Sequence, residues 1–215
     1  MRIIFVGLTI LIGTFTAAAL DVTLKDRTFF PHQAFVQEGE TINICNNDTV
    51  FHRVFSMSRH NRFGGEDGIQ IKPGECTSYI AQNPTAGCIP LAVFDTIHSL
   101  EKMALTVLRK GGGPAECVKG TWEIVQGGGQ TRYVGTLILN GSGNSISGRA
   151  EWANHQQGTI SGSVNGFKIR FSIEYGDGLV GTYTAELSDK ITEMRGGTAA
   201  SNKGGPGVAW QATRK

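Results

Sequence analysis

Between Phe94 and Val107 the chain reads FDTIHSLEKMALTV, which sets Asp95, His98, Glu101 and Met103 in one short stretch. Carboxylate, imidazole and thioether are all metal donors, and a carboxylate near a histidine also suits proton transfer. Cys45, Cys76, Cys88 and Cys117 add four thiols, which allow three pairings. His32 follows a proline and His60 stands in a polar loop with Arg59 and Arg62, neither with a carboxylate partner nearby in sequence, and His155, beside Asn154 in a turn-like segment, reads as solvated. No nucleophile motif, phosphate loop or zinc spacing appears, so catalysis would need a metal with an open position. On this basis the chain is not read as an enzyme.

The elements that must position these residues are short strands. Glycine is frequent, at 30 of 215 residues, and β-branched and aromatic residues come in alternating runs, which indicates an all-β protein. The formal charge of +2 gives no footprint for nucleic acid or an anionic surface. Residues 1–19 have the form of an export signal: Arg2, an apolar run over Ile3 to Ile12, then Ala17-Ala18-Ala19. That run is too short to span a bilayer, and no membrane span is expected once it is removed. A periplasmic or secreted location follows, where paired cysteines are the default.

Strands are expected at Val22–Leu24, Ala34–Val36, Thr41–Cys45, His52–Phe55, 76–82, 88–94 and 103–109, with a loop over 57–69 and an antiparallel hairpin formed by 76–82 and 88–94. Gly111-Gly112-Gly113-Pro114 marks a linker over 111–116. Beyond it come eight alternating segments: Thr121–Gln126, Thr131–Leu139, Ser145–Trp152, Gly158–Val164, Phe167–Tyr175, Val180–Leu187, Lys190–Gly196 and Val208–Arg214. In Phe167–Tyr175 every second residue is apolar, which is a half-buried strand. The domains are therefore 20–110 and 117–215.

The first domain resembles the cupredoxin family. The resemblance is carried by Phe30-Pro31, Gly39-Glu40-Thr41, Asn46-Asn47 with His52 following, Pro73-Gly74-Glu75, and the stretch ending His98, Met103, Val107. It implies a Greek-key β-sandwich and a copper ligand set of His52, Asp95, His98 and Met103, in which Asp95 stands where the family has cysteine. Carboxylate oxygen is a harder donor than thiolate, so the implied site favours Cu(II) or Zn(II) and is not blue. Arg53 replaces the asparagine that often follows the first histidine. The neighbouring strands of that family imply the disulfides Cys45–Cys76 and Cys88–Cys117.

Gly120-Thr121-Trp122 opens the second domain and Trp210 to Arg214 closes it. This resembles the calycin group, the lipocalins and avidins, and implies a small up-and-down β-barrel with Trp122 packed under Arg214 at one end. Trp152 and Trp210 either line a ligand cup or fill the core. Three functional readings stay open: an exported protein binding copper or another divalent metal, with a barrel for a small apolar ligand or protein partner; a metal-free secreted binding protein on the same scaffold; and a periplasmic electron carrier.

Overall fold

The computed structural model is all-β and describes residues 19–56, 61–65, 67–83, 87–97, 102–128 and 131–215. Residues 1–18, His60, His98 and Glu101 lie outside the described residues. The first domain holds β1 (Ala19–Lys25), β2 (Thr28–Phe30), β3 (Gln33–Gln37), β4 (Thr41–Asn46), β5 (His52–Phe55), β6 (Ile69–Ile71), β7 (Cys76–Ile80), β8 (Ile89–Asp95) and β9 (Lys102–Leu108). They form two sheets, β2-β1-β4-β7 and β3-β9-β8-β5-β6. In β4 every second residue is buried, and Ile42 and Ile44 meet Val22, Leu24, Val93, Leu105 and Val107 between the sheets. Period-two alternation buries one face of each strand and leaves the other wet.

Two local expectations change. Segments 76–82 and 88–94 do not form a hairpin. Instead β7 pairs with β4, placing Cys76 opposite Cys45, while β8 pairs with β9 and β5. The chain changes sheets after Ile80, where Ala81 is buried and Asn83 Nδ2 donates to Val107 O of the other sheet at 3.1 Å. Within 57–69, Ser56 bridges to Phe63, and Ile69 begins β6 beside β5.

The second domain contains β10 (Gly120–Gly128), β11 (Thr131–Ser142), β12 (Ser145–Trp152), β13 (Gln157–Asn165), β14 (Lys168–Tyr175), β15 (Val180–Leu187), β16 (Glu193–Ser201) and β17 (Val208–Arg214). Each pairs antiparallel with the next, and β17 returns to β10, so the sheet is a closed up-and-down barrel. Closure leaves the barrel no free edge. The strand expected at 190–196 begins only at Glu193. Residues 188–192 are a turn in which Ser188 Oγ accepts from the Thr192 and Glu193 amides and Ile191 has φ +55°.

Residues expected to end the linker are part of the barrel. Pro114–Val118 is a 3-10 turn with Ala115, Cys117 and Val118 buried in the barrel core. It presses on the β11–β12 hairpin, where a Cβ on Gly141 would stand 1.8 Å from Ala115 O. Only glycine permits that approach.

This plugged end of the barrel rests on the sandwich along the outer side of β3. Gln33 Nε2 donates to Asp189 Oδ1 at 3.0 Å, the rings of Phe35 and Phe167 lie 4.5 Å apart, and Gln37 Nε2 donates to Gly112 O at 3.2 Å. Lys102 also reaches Asp189, at 3.1 Å. Disulfides join Cys45 to Cys76 within the first sheet and Cys88 to Cys117 between the domains. The second bridge fixes the barrel on its support.

Candidate functional site

Two places gather chemistry. The first is at the end of the sandwich, where β4, β5 and β8 finish or begin. His52 opens β5 and Asp95 closes β8, and the antiparallel pairing of Val54 with Asp95 brings the two side chains together. Both are buried, at 0% and 1% exposure. His52 Nδ1 lies 2.6 Å from Asp95 Oδ2, and His52 Nε2 lies 3.3 Å from Asp48 Oδ2. Both ring nitrogens thus face carboxylate oxygens. Asp95 Oδ1 accepts from the amides of Arg53 at 3.2 Å and Ile97 at 3.1 Å.

Asp48 is held by its own turn. Its carboxylate takes the amide of Arg27 at 2.9 Å and that of Thr49 at 2.8 Å. These donors, first Arg27, then Thr49, with a smaller pull from His52, keep the carboxyl below its ordinary value. Asn46 braces the turn from inside, giving Nδ2 to the carbonyls of Val50 and Ile71 and taking the Asp48 amide. The Asn46-Asn47-Asp48 segment, legible as a strand end, is therefore also the frame that holds His52.

Of the four residues implied as metal ligands, the structure unites His52 and Asp95. Met103 is fully buried in the sandwich core, and His98 is outside the described residues. Among the described residues no group of three His, Cys, Asp or Glu side chains is placed to hold a metal ion. Two ligands of one ion, each about 2.0–2.2 Å from it, stand roughly 3 Å or more apart. At 2.6 Å, His52 and Asp95 form a hydrogen bond and not a ligand pair, so the arrangement as it stands does not fit a metal. Sequence reasoning missed Asp48 as a partner of His52, although its spacing of four residues before the histidine was in view.

The second place is inside the barrel, at the end away from the sandwich. At the plugged end Arg214 Cζ lies 4.6 Å from the Trp122 ring centroid. The guanidinium donates to the carbonyls of Cys117, Lys119 and Ile191, and Trp122 Nε1 donates to Val118 O at 2.8 Å. Above this plug the core is filled. Phe171 and Tyr183 stack at 5.0 Å, and Trp210 meets both edge-on. Trp210 is thus a core residue.

The filling stops at Tyr183, and a cavity of about 500 Å³ opens beyond it. Tyr133, Trp152, Tyr175 and Tyr183 give the lining aromatic rings from four strands, and Ala199, Ala200, Gly204 and Gly205 give it small side chains. Gln126, Asn154 and Gln156 supply amides. Trp152 Nε1 donates to Tyr175 Oη at 2.9 Å, and Tyr183 Oη donates to Gln126 Oε1 at 2.9 Å. A larger groove of about 700 Å³ runs along the outer barrel wall past Lys168, Arg170 and Arg195, but it has no aromatic lining.

Burial pushes the Tyr175 phenol up, with hydrogen bonds from Tyr183 and Trp152 pulling against it. Tyr183 is pushed up further, first by burial and then by Tyr175, and Tyr79 rises by burial alone. Phenols raised on folding keep their protons where the unfolded chain would lose them. Their contribution to stability is therefore complete below about pH 10 and is lost as pH rises beyond it. In an alkaline titration followed by phenolate absorbance, Tyr183 should ionise only as the protein unfolds, and Tyr79 and Tyr175 should ionise above the ordinary tyrosine value. Ionisation of all four tyrosines near pH 10 in folded protein would contradict the buried network.

No family model and no curated protein sequence matches this chain. Among solved structures, it is similar to a purple cupredoxin from Nitrosopumilus maritimus, with 13% identity and a TM-score of 0.34 over 41% of this chain and 98% of that one. Amicyanin from Paracoccus versutus shows 20% identity and a TM-score of 0.35 over 44% of this chain and 85% of that one. A copper-containing nitrite reductase from Thermus scotoductus SA-01 shows 16% identity and a TM-score of 0.36 over 42% of this chain and 22% of that one. Each likeness spans less than half of this chain, and the architecture described above rests on its own strand order and register.

Proposed function

We propose that the protein is an exported binding protein whose barrel takes a small ligand in the cup at its open end, with the sandwich as its support. The observation that carries this reading is the cup itself: a cavity of about 500 Å³, walled by aromatic rings, in a barrel otherwise filled by side chains. That volume falls within the range of about 300–1,000 Å³ usual for small-molecule sites. Two disulfides support an extracellular or periplasmic setting. The Cys88–Cys117 bridge and the contacts along β3 hold the plugged end against the sandwich, which leaves the cup facing away from it. The test is titration of the full-length mature protein with the neutral fluorescent probe N-phenyl-1-naphthylamine. Saturable binding that quenches Trp152 and is lost in Trp152→Ala is expected. Absence of saturable binding by this probe and by small neutral sugars alike would sink the reading.

A second reading keeps His52, Asp95, His98 and Met103 as ligands of copper or another divalent ion. What favours it is that two of the four donors, His52 and Asp95, come from separate strands to one buried place, where a metal would have to part their present hydrogen bond. Such an ion would take the place of the proton the pair now shares, and its carboxylate and imidazole donors would suit Cu(II) or Zn(II). If it binds, copper loading should leave about one ion per chain and raise the melting temperature, since a ligand of the native state stabilises it. His98→Ala should abolish both effects. No retained metal on elemental analysis after copper loading would exclude this reading, as would an unchanged melting temperature.

A further inference from the structure

We infer that the cup recognises an uncharged, ring-shaped ligand with one apolar face and a hydrogen-bonding edge, and that a neutral pyranoside is the class it fits. This deepens the ligand-binding reading and rests on it. Among the described residues no Lys, Arg, His, Asp or Glu lines the cavity. A charged group entering it would lose its water and gain no counter-charge, which is strongly unfavourable. The acids nearest in chain to the lining face away from it: Glu151 pairs with Arg149 at 2.9 Å, Glu174 is exposed, and Asp177 takes the Leu179 amide at 3.0 Å.

A purely hydrocarbon ligand fits poorly too. It would cover the side-chain nitrogens of Gln126 and Asn154 and the side-chain amide of Gln156 without giving them partners, at a cost of about 1–3 kcal/mol for each that loses its water. Amide side chains carry both donor and acceptor, as hydroxyl groups do, so each can match a hydroxyl in either sense. The hydrogen bonds of the floor leave such capacity in place. Gln126 Oε1 takes Tyr183 Oη, and the Gln126 amide nitrogen keeps its two donors for the cup. Asn154 Oδ1 takes the Gln156 amide at 3.2 Å, which stiffens the rim and leaves the Asn154 nitrogen as donor.

The aromatic wall supplies the remaining contact. The face of an aromatic ring is electronegative and its neighbours are preferentially the positive edges of other groups. The axial C–H bonds of a pyranose present such an edge, so the sugar ring can lie on Trp152 or Tyr175 while its hydroxyls reach the amides. Glycine and alanine elsewhere in the lining leave room for a flat ring to enter.

Full-length mature protein is titrated with cellobiose, maltose and N,N′-diacetylchitobiose, with glucuronic acid as the charged counterpart and N-phenyl-1-naphthylamine as the apolar probe, by calorimetry and tryptophan fluorescence. At least one neutral disaccharide should bind with a 1:1 stoichiometry, and glucuronic acid should bind about tenfold more weakly than a neutral sugar or not at all. Trp152→Ala should abolish sugar binding. Gln156→Ala, a rim change chosen to spare the fold, should weaken it about tenfold. Binding of N-phenyl-1-naphthylamine with no neutral sugar bound would overturn the ligand class while the cup remains a binding site. Tighter binding of glucuronic acid than of every neutral sugar would overturn it as well. No binding of any probe would remove both the class and the binding reading beneath it.

Discussion

Asp95→Ala should destabilise the metal-free protein by about 3–5 kcal/mol, because it leaves three donors without their acceptor at about 1–3 kcal/mol each. Three groups lose their acceptor at once: His52 Nδ1 and the amides of Arg53 and Ile97. His52 has no exposure through which water could replace the lost carboxylate. The measurement is urea unfolding of chelator-treated wild type and variant. Asp95→Asn, which keeps the Oδ1 acceptor for the two amides, should fall between them. If Asp95 served only as a metal ligand, its removal would leave metal-free stability unchanged, and that outcome would refute the structural role. A double change with His52→Ala should cost less than the two single changes added, because the two residues share one interaction.

Trp122→Ala should cost a similar amount, about 3–5 kcal/mol, as large-to-small changes of buried aromatic residues do. Trp122 is fully buried and ties three parts of the plugged end together. Its ring lies under Arg214, its Nε1 holds Val118 O, and its strand carries the β10–β17 seam. Without the ring, Arg214 keeps its three carbonyl acceptors but loses the surface it stacks on. Hydrogen exchange should rise in the Pro114–Val118 turn and along the seam. Trp152→Ala, at the half-buried open end, should cost clearly less. Equal costs for the two tryptophans would mean that the barrel has no distinction between a plugged and an open end.

The barrel was the more legible half of the chain. Phe167 to Tyr175 alternates without a break, and the observed β14 buries Ile169, Phe171, Ile173 and Tyr175 while Lys168, Arg170 and Glu174 stay exposed. In an up-and-down barrel each strand pairs with its sequence neighbour, so local order is also spatial order. The sandwich lacks that property. Strands 76–80 and 89–95 are neighbours in sequence and lie in different sheets. Nothing in their side chains says which sheet each joins. That choice is made by the buried crossing at Ala81 and Asn83. Residues 190–192 read as strand because Ile191 is apolar and β-branched, yet Ile191 takes a left-handed backbone that the carbonyl contact with Arg214 and the Ser188 hydroxyl hold in place.

The candidate sites divide in the same way. His52 and Asp95 stood out by type, but a sequence shows neither burial nor distance. Only the pairing of β5 with β8 turned two polar residues into a hydrogen-bonded pair, and only the Asn46 turn placed Asp48 on the far side of the ring. Trp152 and Trp210 looked equivalent in sequence. Barrel register sets Trp210 among Phe171 and Tyr183 and Trp152 at the mouth. By itself the sequence determined the all-β class and the succession of eight strands in the second half, because side-chain alternation and turn residues act over a few residues. The tertiary structure alone decided which strands meet, which donors face each other and where the cavity lies, because those depend on contacts between residues far apart in the chain.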